Sequence, residues 1–362
     1  MSILTLARPE IVAMKPYSSA RREGPTTGVL LNANESPWPL LGSTTDVLPL
    51  NRYPDPQPHG LVEGLARLYA VPQDHVLVTR GSDEGIDLVT RVFCRAGIDA
   101  ILHCPPTFGM YRIAAQTQGA AVVSVPRLAG QGFSLDTAEI LEQLKRDQRI
   151  RVVFLTSPNN PTGDCVEEGF LAQLLATTEN RAIVVIDEAY AEFSARPSAI
   201  PWMARHSQLV ILRSLSKAWA SAGLRCGSVL AQPLVIDLLR RIIAPYPLAS
   251  PVVALAERLL QADLHQQQQQ RLLQILENKT QLVSLLAKYA FVIDTWPGEA
   301  NFVLLRARDA QALLAHCGDQ GVVLRAYPND PLLQDCVRIT VGSQENLEAL
   351  EQALNRWEAK QI

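Results

Sequence analysis

Short apolar runs alternate with segments of helical spacing over much of this chain. Runs at 75–79, 100–104, 121–125, 151–156, 182–186 and 209–212 are nearly continuous in Val, Ile, Leu and Ala. That composition suits strands buried on both faces. Between them, residues 61–69 and the stretch carrying Ile86, Val89, Val92 and Phe93 repeat apolar positions at helical intervals. The alternation predicts an α/β large domain, a mainly parallel sheet covered by helices.

The pattern changes on either side. Residues 1–28 hold breakers such as Gly24-Pro25 and read as an arm, and 29–244 as the large domain. Three prolines within 245–251 mark a boundary. From 252 to about 288 the spacing is helical, with the glutamines at 266–270 on a solvated face. Strands are predicted near 302–305, 322–325 and 337–341, with helices over 310–317 and 344–357, which makes 245–362 a smaller α+β domain. The arm must pack on something, and the small domain or a partner subunit is the expected surface.

Charge and cysteine content narrow the function. Net charge is −3 with pI near 6.1, and basic residues form no run longer than the pairs Arg21-Arg22 and Arg240-Arg241. Neither a nucleic-acid nor a membrane-surface role has an electrostatic footprint. The six cysteines show no CxxC and no metal-ligand spacing, so reduced thiols, a cytoplasmic location and no bound metal are expected. The apolar stretch 3–14 is broken by Arg8-Pro9-Glu10, and no export signal is visible.

Candidate chemistry gathers after the strands, where open α/β sheets keep their sites. Lys217 follows the 209–212 strand, with Ser214 and Ser216 before it and Arg225 eight residues on. Most lysines are solvated surface charges. This one sits among hydroxyls and a fixed cation, which suits a Schiff-base lysine for pyridoxal phosphate, a carbonyl cofactor with a phosphate tail. Arg225 would also favour the neutral amine. Asp187 ends an apolar strand, where an unpaired carboxylate is costly, and a protonated pyridine nitrogen is a suitable partner. Its alternatives are a helix cap or the metal-binding aspartate of a nucleotide hydrolase, and no GxxxxGK[ST] precedes it. Tyr190 could reach the ring's phenolic oxygen. Asn160, in Ser157-Pro158-Asn159-Asn160-Pro161-Thr162-Gly163, belongs either to a β-turn or to a ligand oxygen. Gly81-Ser82-Asp83 opens a helix, as anion sites do. Arg338 is a charge inside an apolar strand, either in a salt bridge or clamping an anion. Each signal is weak alone, but Asn160, Asp187, Lys217 and Arg225 all lie just beyond predicted parallel strands or in the segments that follow them.

The segments SPNNPTG, IDEAY and SLSKAWASAGLRCG resemble fold-type I pyridoxal-phosphate enzymes of aminotransferase class I/II. With LNANESP, NRYPDPQP, TRGSDEGID, CPPTFGMY, IAPYPL and CVRITVG, the resemblance extends in order over nearly the whole chain to the histidinol-phosphate aminotransferase family. It implies a seven-stranded, mainly parallel sheet and a homodimer. It implies Lys217 as the Schiff-base residue, Asp187 on the pyridine nitrogen, and Asn160 with Tyr190 at the ring oxygen. Ser82, Asp83, Ser214, Ser216 and Arg225 would surround the phosphate, with Tyr53 reaching it from the other subunit. Phe108 stands where the family usually has a tyrosine stacked on the ring, so stacking should persist without the hydroxyl. Arg338, Arg325, Tyr17 and Asn34 would bind substrate: the phosphate of L-histidinol phosphate in one half-reaction, and the carboxylates of glutamate or 2-oxoglutarate in the other. Competing readings are an aromatic aminotransferase, a threonine-phosphate decarboxylase, a cofactor-sensing regulator and an inactive homologue. The regulator would need a basic helix-turn-helix segment, which the sequence before residue 30 lacks.

Overall fold

The computed structural model describes residues 3–15, 33–36, 38 and 50–360. Strands β1 (Val76–Thr79), β2 (Ala100–His103), β3 (Ala121–Ser124), β4 (Ile150–Thr156), β5 (Ile183–Asp187), β6 (Leu209–Ser214) and β7 (Gly227–Leu230) form one sheet in the order β1-β7-β6-β5-β4-β2-β3. The block from β3 to β6 is parallel throughout. β7 runs antiparallel between β6 and β1. Its sequence, Gly-Ser-Val-Leu, has too little apolar length to stand out, and it was not predicted.

Helices α1 (Pro9–Ala13), α2 (His59–Tyr69), α3 (Gly81–Phe93), α4 (Met110–Gln118), α5 (Thr137–Arg146), α6 (Glu168–Thr178) and α7 (Pro233–Arg240) accompany this sheet. Two apolar clusters hold them, one on each side: Leu61, Leu65, Leu174 and Leu175 in one, Ile86, Val89, Phe93 and Leu239 in the other. All six strands predicted for the large domain end within two residues of the observed ones, and β6 shows why its end was placed short. It continues through Arg213, a charge that looks like a strand end but is buried. The Arg213 guanidinium pairs with Glu188 at 2.7 Å and Glu192 at 2.9 Å.

The arm's described part, 3–15, lies on the large domain's own core and not on the small domain. Ile3, Leu6 and Ile11 join the cluster of α3 and α7. The Arg8 amide donates to the Val92 carbonyl, and the Arg241 guanidinium donates to the carbonyls of Ile11 and Met14.

Helices α8 (Ser250–Leu259) and α9 (Ala262–Leu286) divide the predicted long helical stretch. Beyond them, β8 (Val292–Trp296), β9 (Phe302–Ala307), β10 (Arg325–Ala326) and β11 (Cys336–Thr340) form an antiparallel sheet in the order β10-β11-β9-β8, with α10 (Ala310–Asp319) and α11 (Gln344–Glu358). β8 was not predicted, because Asp294 and Thr295 interrupt its apolar character. The glutamine run is not wholly solvated: Gln268 is buried and donates to the carbonyl of Ala218, next to Lys217.

One backbone contact fixes the small sheet against the large one. The Glu299 amide donates to the Gly163 carbonyl at 2.6 Å. Gly163 (φ +78°) and Gly298 (φ +52°) lie face to face, and a Cβ on Gly163 would come within 2.8 Å of Gly298 Cα. Lys279 holds the same turn from α9, donating to the carbonyls of Gly298 at 2.8 Å and Ala300 at 2.7 Å. The Glu299 carboxylate accepts from Ser194 and from Arg196 on the large domain. Gly298→Ala combines left-handed strain with a backbone clash, so we expect it to lower unfolding stability by about 2 kcal/mol or more. Denaturant titration of both proteins would measure this, and an unchanged midpoint would contradict it.

Candidate active site

The parallel strands deliver their carboxyl ends to one edge, and the small sheet stands over it. Between them lies a cavity of about 550 Å³ whose wall includes Ser82, Asp83, Phe108, Asn160, Asp187 and Tyr190. Ser214, Ser216, Lys217, Arg225, Arg325 and Arg338 complete the predicted set there. A more open hollow of about 680 Å³ lies near Phe193 and Lys279. Its polar groups Ser194, Arg196, Lys279 and Glu299 are engaged in holding the two sheets together. The predicted residues gather in the first cavity.

Asp187 is the last residue of β5, paired in register with Thr156 of β4, and is 2% exposed. Its Oδ2 accepts from the Tyr111 hydroxyl at 2.8 Å and its Oδ1 from the Ala189 amide at 3.1 Å. Burial pushes its carboxyl up to about 6, against the lowering effect of those two donors. Among the described residues no cation pairs with it. Tyr111 is fully buried, stacked on Phe154 at 4.8 Å, and its hydroxyl also meets Thr156 Oγ1 at 2.6 Å. This aspartate-tyrosine-threonine chain was not predicted. Tyr111 stood inside a quoted motif, but nothing in sequence spacing ties it to a residue 76 positions away.

Lys217 lies just past β6, its Nζ 5.4 Å from the centre of the Tyr190 ring. Burial depresses its ammonium, followed by the positive charges of Arg338 and then Arg225. Arg225 was expected to do this, and Arg338 of the small domain contributes more. Tyr190 is buried, edge-on to Phe302 at 5.3 Å, and burial pushes its hydroxyl up to about 12. Its neutral phenol is therefore a hydrogen-bond donor at ordinary pH.

An anion cup opens beside the lysine. Arg225, in left-handed backbone (φ +52°), reaches Asp83 Oδ2 at 3.1 Å and Ser216 Oγ at 3.4 Å. Ser214 Oγ accepts from the Ser216 amide at 3.1 Å. A carboxylate cannot donate, so what Asp83 can offer an anion is its amide in the first turn of α3, beside that of Ser82. Gly227 lets the backbones close up here: a Cβ on it would come within 2.8 Å of the Ser82 nitrogen.

Pyridoxal phosphate, the cofactor implied by resemblance, matches this chemistry. A buried carboxylate without a cation suits its pyridinium, the cup suits its phosphate, and Phe108 offers an aromatic face whose own neighbour is Tyr111, edge-on at 5.8 Å. Of the two adjacent asparagines, Asn159 is fully buried and spends its amide on Pro106 and Thr162, while Asn160 faces the cavity.

The outer wall is cationic. Arg325 and Arg338 stand directly opposite each other on β10 and β11. Like charges in such a cross-strand pair repel. Among the described residues no carboxylate lies within ion-pair distance of either, so the salt-bridge reading of Arg338 does not hold. Its guanidinium instead donates to the Asn160 side-chain oxygen and lies 5.0 Å over the Phe302 ring. Two facing guanidiniums without a counter-ion make an anion site.

Three predicted residues are not part of this wall. Tyr53 is 51% exposed and stacks on Tyr246 at 4.5 Å. Asn34 is exposed, in left-handed backbone. Tyr17 lies outside the described residues. Besides Tyr111, sequence reasoning missed Thr107, Thr156, Tyr327 and Asp330 around the cavity. Among the described residues no cluster of three or more His, Cys, Asp or Glu could hold a metal, and no helix is long and apolar enough to cross a membrane.

The Asp187 carboxyl sets a pH dependence whose sign follows from its raised value. A cationic ring nitrogen needs the ionised form, so cofactor affinity should weaken as pH falls through about 6. Without cofactor, the folded protein keeps a proton that the unfolded carboxyl releases near 4. Stability should therefore fall as pH rises from about 4 to about 6, because the native state binds more protons over that window. Equilibrium dialysis across pH 5–8 tests the first part, with Asp187→Asn as the control that should lose the slope. An equal slope in that variant would refute the assignment.

Residues 26–354 match the family described as Aminotransferase class I and II. Histidinol-phosphate aminotransferase 1 of Pasteurella multocida (strain Pm70) is 43% identical over 357 residues, covering 98% of this chain and 99% of its own length. The histidinol-phosphate aminotransferase of Escherichia coli O9:H4 (strain HS) is 42% identical over 354 residues, 98% of each chain. Among solved structures, histidinol-phosphate aminotransferase from Sinorhizobium meliloti in complex with pyridoxal-5'-phosphate superposes with a TM-score of 0.78 at 22% identity, over 86% of this chain and 84% of that one. L-Threonine-O-3-phosphate decarboxylase from Porphyromonas gingivalis reaches 0.72 at 21% identity, over 85% and 91%. The shared fold is thus common to different chemistries, and the assignment rests on the near-full-length sequence identity. The chain belongs to the aminotransferase class I and II family, among its histidinol-phosphate aminotransferases.

Proposed function

We propose that the protein is the L-histidinol-phosphate:2-oxoglutarate aminotransferase of histidine biosynthesis, working with pyridoxal 5'-phosphate as a cytoplasmic homodimer. The observation that carries this reading is the facing pair Arg325 and Arg338 in the same cavity as Lys217 and Asp187. A doubly cationic wall takes a phosphate monoester in one half-reaction and carboxylates in the other. The division into arm, large domain and small domain at 28 and 244, and the placing of Tyr53 at the partner's phosphate cup, belong to the same reading. The exposed Tyr53 ring leaves it available for such a role.

Pyridoxal phosphate, when bound, supplies an electron sink that makes the proton on an amino-bearing carbon removable. The chain's own residues do the rest. Asp187 would hold the ring nitrogen as a cation, buttressed by Tyr111. Asn160 and Tyr190 would hold the ring oxygen, Phe108 would cover the ring face, and Ser82, Ser214, Ser216 and Arg225 would hold the phosphate. Lys217, its amine depressed by burial and two arginines, is the base that takes the substrate proton and returns it. The donor L-histidinol phosphate leaves as imidazole-acetol phosphate. In the second half, 2-oxoglutarate enters by the same wall and leaves as glutamate.

Rapid mixing with L-histidinol phosphate should convert the cofactor to its aminated form in a single turnover. No conversion would refute the proposal, and loss of carbon dioxide or conversion only with aromatic amino acids would favour its competitors. Lys217→Ala should lose both half-reactions and borohydride trapping. Arg338→Ala should lower kcat/KM by about 30-fold or more for both L-histidinol phosphate and 2-oxoglutarate, the loss of a charged hydrogen-bonding partner.

A further inference from the structure

The cavity wall holds three carboxylates among the described residues: Asp83, Asp187 and Asp330. The first is paired with Arg225 and the second takes the donors of Tyr111 and Ala189. Asp330 is different. It lies on the segment joining β10 to β11, between Arg325 and Arg338 in the chain, and lines the same cavity. Its Oδ1 accepts from the Leu332 amide at 3.0 Å and starts the short turn Pro331–Leu333. Its Oδ2 takes no bond among the described residues, and no cation lies within ion-pair distance.

We infer that Asp330 is a specificity residue, its free carboxylate oxygen accepting the imidazole N–H of the phosphate-bearing donor. The inference rests on the functional reading above and concerns the opposite end of the same substrate. A phosphate gripped by Arg325 and Arg338 leaves the rest of the molecule within the cavity, where the wall offers cations, an amide, hydroxyls such as those of Thr107 and Tyr327, and aromatic or apolar groups, and where Asp330 is the one carboxylate among the described residues that is neither paired with a cation nor bonded at both oxygens. An imidazole always carries at least one N–H, and two when protonated, so a lone carboxylate recognises it in either state. A hydrocarbon ring of the same size has nothing to donate and would cover that oxygen without pairing it, a basis for rejecting a near-isostere. The same oxygen repels a second carboxylate. Asp330 therefore selects a ring that donates, while the arginines select the anion.

A cap alone would also explain an aspartate here, and the test separates the two roles. Asn and Ser both cap turns and short helices, but Asp330→Asn presents an amide N–H to the cavity and Asp330→Ser presents nothing. Donor half-reactions would be measured for wild type and both variants with L-histidinol phosphate and with L-phenylalaninol phosphate, which keeps the phosphate and lacks the ring N–H. For L-histidinol phosphate, kcat/KM should fall about 10- to 100-fold in both variants, through KM with kcat largely kept. For L-phenylalaninol phosphate it should stay within about twofold of wild type or improve. Equal losses with both donors would show a structural cap and overturn the inference, as would no loss with L-histidinol phosphate. If wild type itself does not convert L-histidinol phosphate, the functional reading falls and this inference with it. If wild type converts it and the variants keep its advantage over the phenyl donor, only the role of Asp330 falls.

Discussion

A carboxylate in the wrong solvent governs this structure. Asp187 closes a strand buried along its whole length, and the proton it retains to about 6 measures how poorly its surroundings support its charge. Relative to an exposed aspartate, ionising it at neutral pH costs on the order of 3 kcal/mol. Tyr111 and the Ala189 amide offset part of that cost but bring no opposite charge. Such a site is incomplete by itself, and binding a cationic ring recovers the energy invested in desolvation. The same logic places the aspartate at a parallel strand end, the one position on the sheet that is both deeply buried along its length and open to the cavity at its tip.

The small domain brings a second unfinished electrostatic arrangement to the first. Arg325 and Arg338 repel across β10 and β11, and the Arg338 charge also depresses the Lys217 ammonium from the other side of the cavity. A substrate anion relieves both effects together, since neutralising Arg338 removes part of the pressure keeping Lys217 neutral. Anion binding at Arg338 and the basicity of the Lys217 amine are therefore coupled through one guanidinium. That coupling needs a fixed distance between sheets, and the Gly163–Gly298 contact supplies it only four residues from the carboxyl end of the loop that carries Asn160, which Arg338 itself touches. Gln268 adds a second tie, from α9 to the carbonyl beside Lys217.

Much of this was legible in the sequence, and the parts that were not share physical reasons. Continuous Val and Ile runs identified the parallel strands because strands buried on both faces admit little else. β7 and β8 escaped because one is short and begins with Gly-Ser, and the other carries Asp294 and Thr295. Arg213 and Gln268 were misread for a related reason: polar side chains were taken to mean solvent, and each is buried with its partners supplied from far along the chain. The residues after the parallel strands that line the cavity were readable as candidates because each carries chemistry unusual at a strand end. Tyr111 and Asp330 were not, since a buried tyrosine and a turn-capping aspartate are ordinary until the fold sets one against Asp187 and brings the other to the cavity wall.

The two arginines alone are a poor basis for telling substrates apart. Guanidiniums pair with a phosphate and a carboxylate alike, as the proposed ping-pong transfer through one site requires, and that permissiveness extends to any anionic amine of suitable size. Discrimination must then come from groups that act on one substrate and not on the other. Within the described cavity wall, a carboxylate outside both the cofactor's reach and the phosphate cup is the group whose charge can favour a ring donor and oppose a second carboxylate. Its place in the same cavity divides the work: on the proposed reading the arginines provide affinity common to both half-reactions, and Asp330 provides the difference between substrates on which specificity depends.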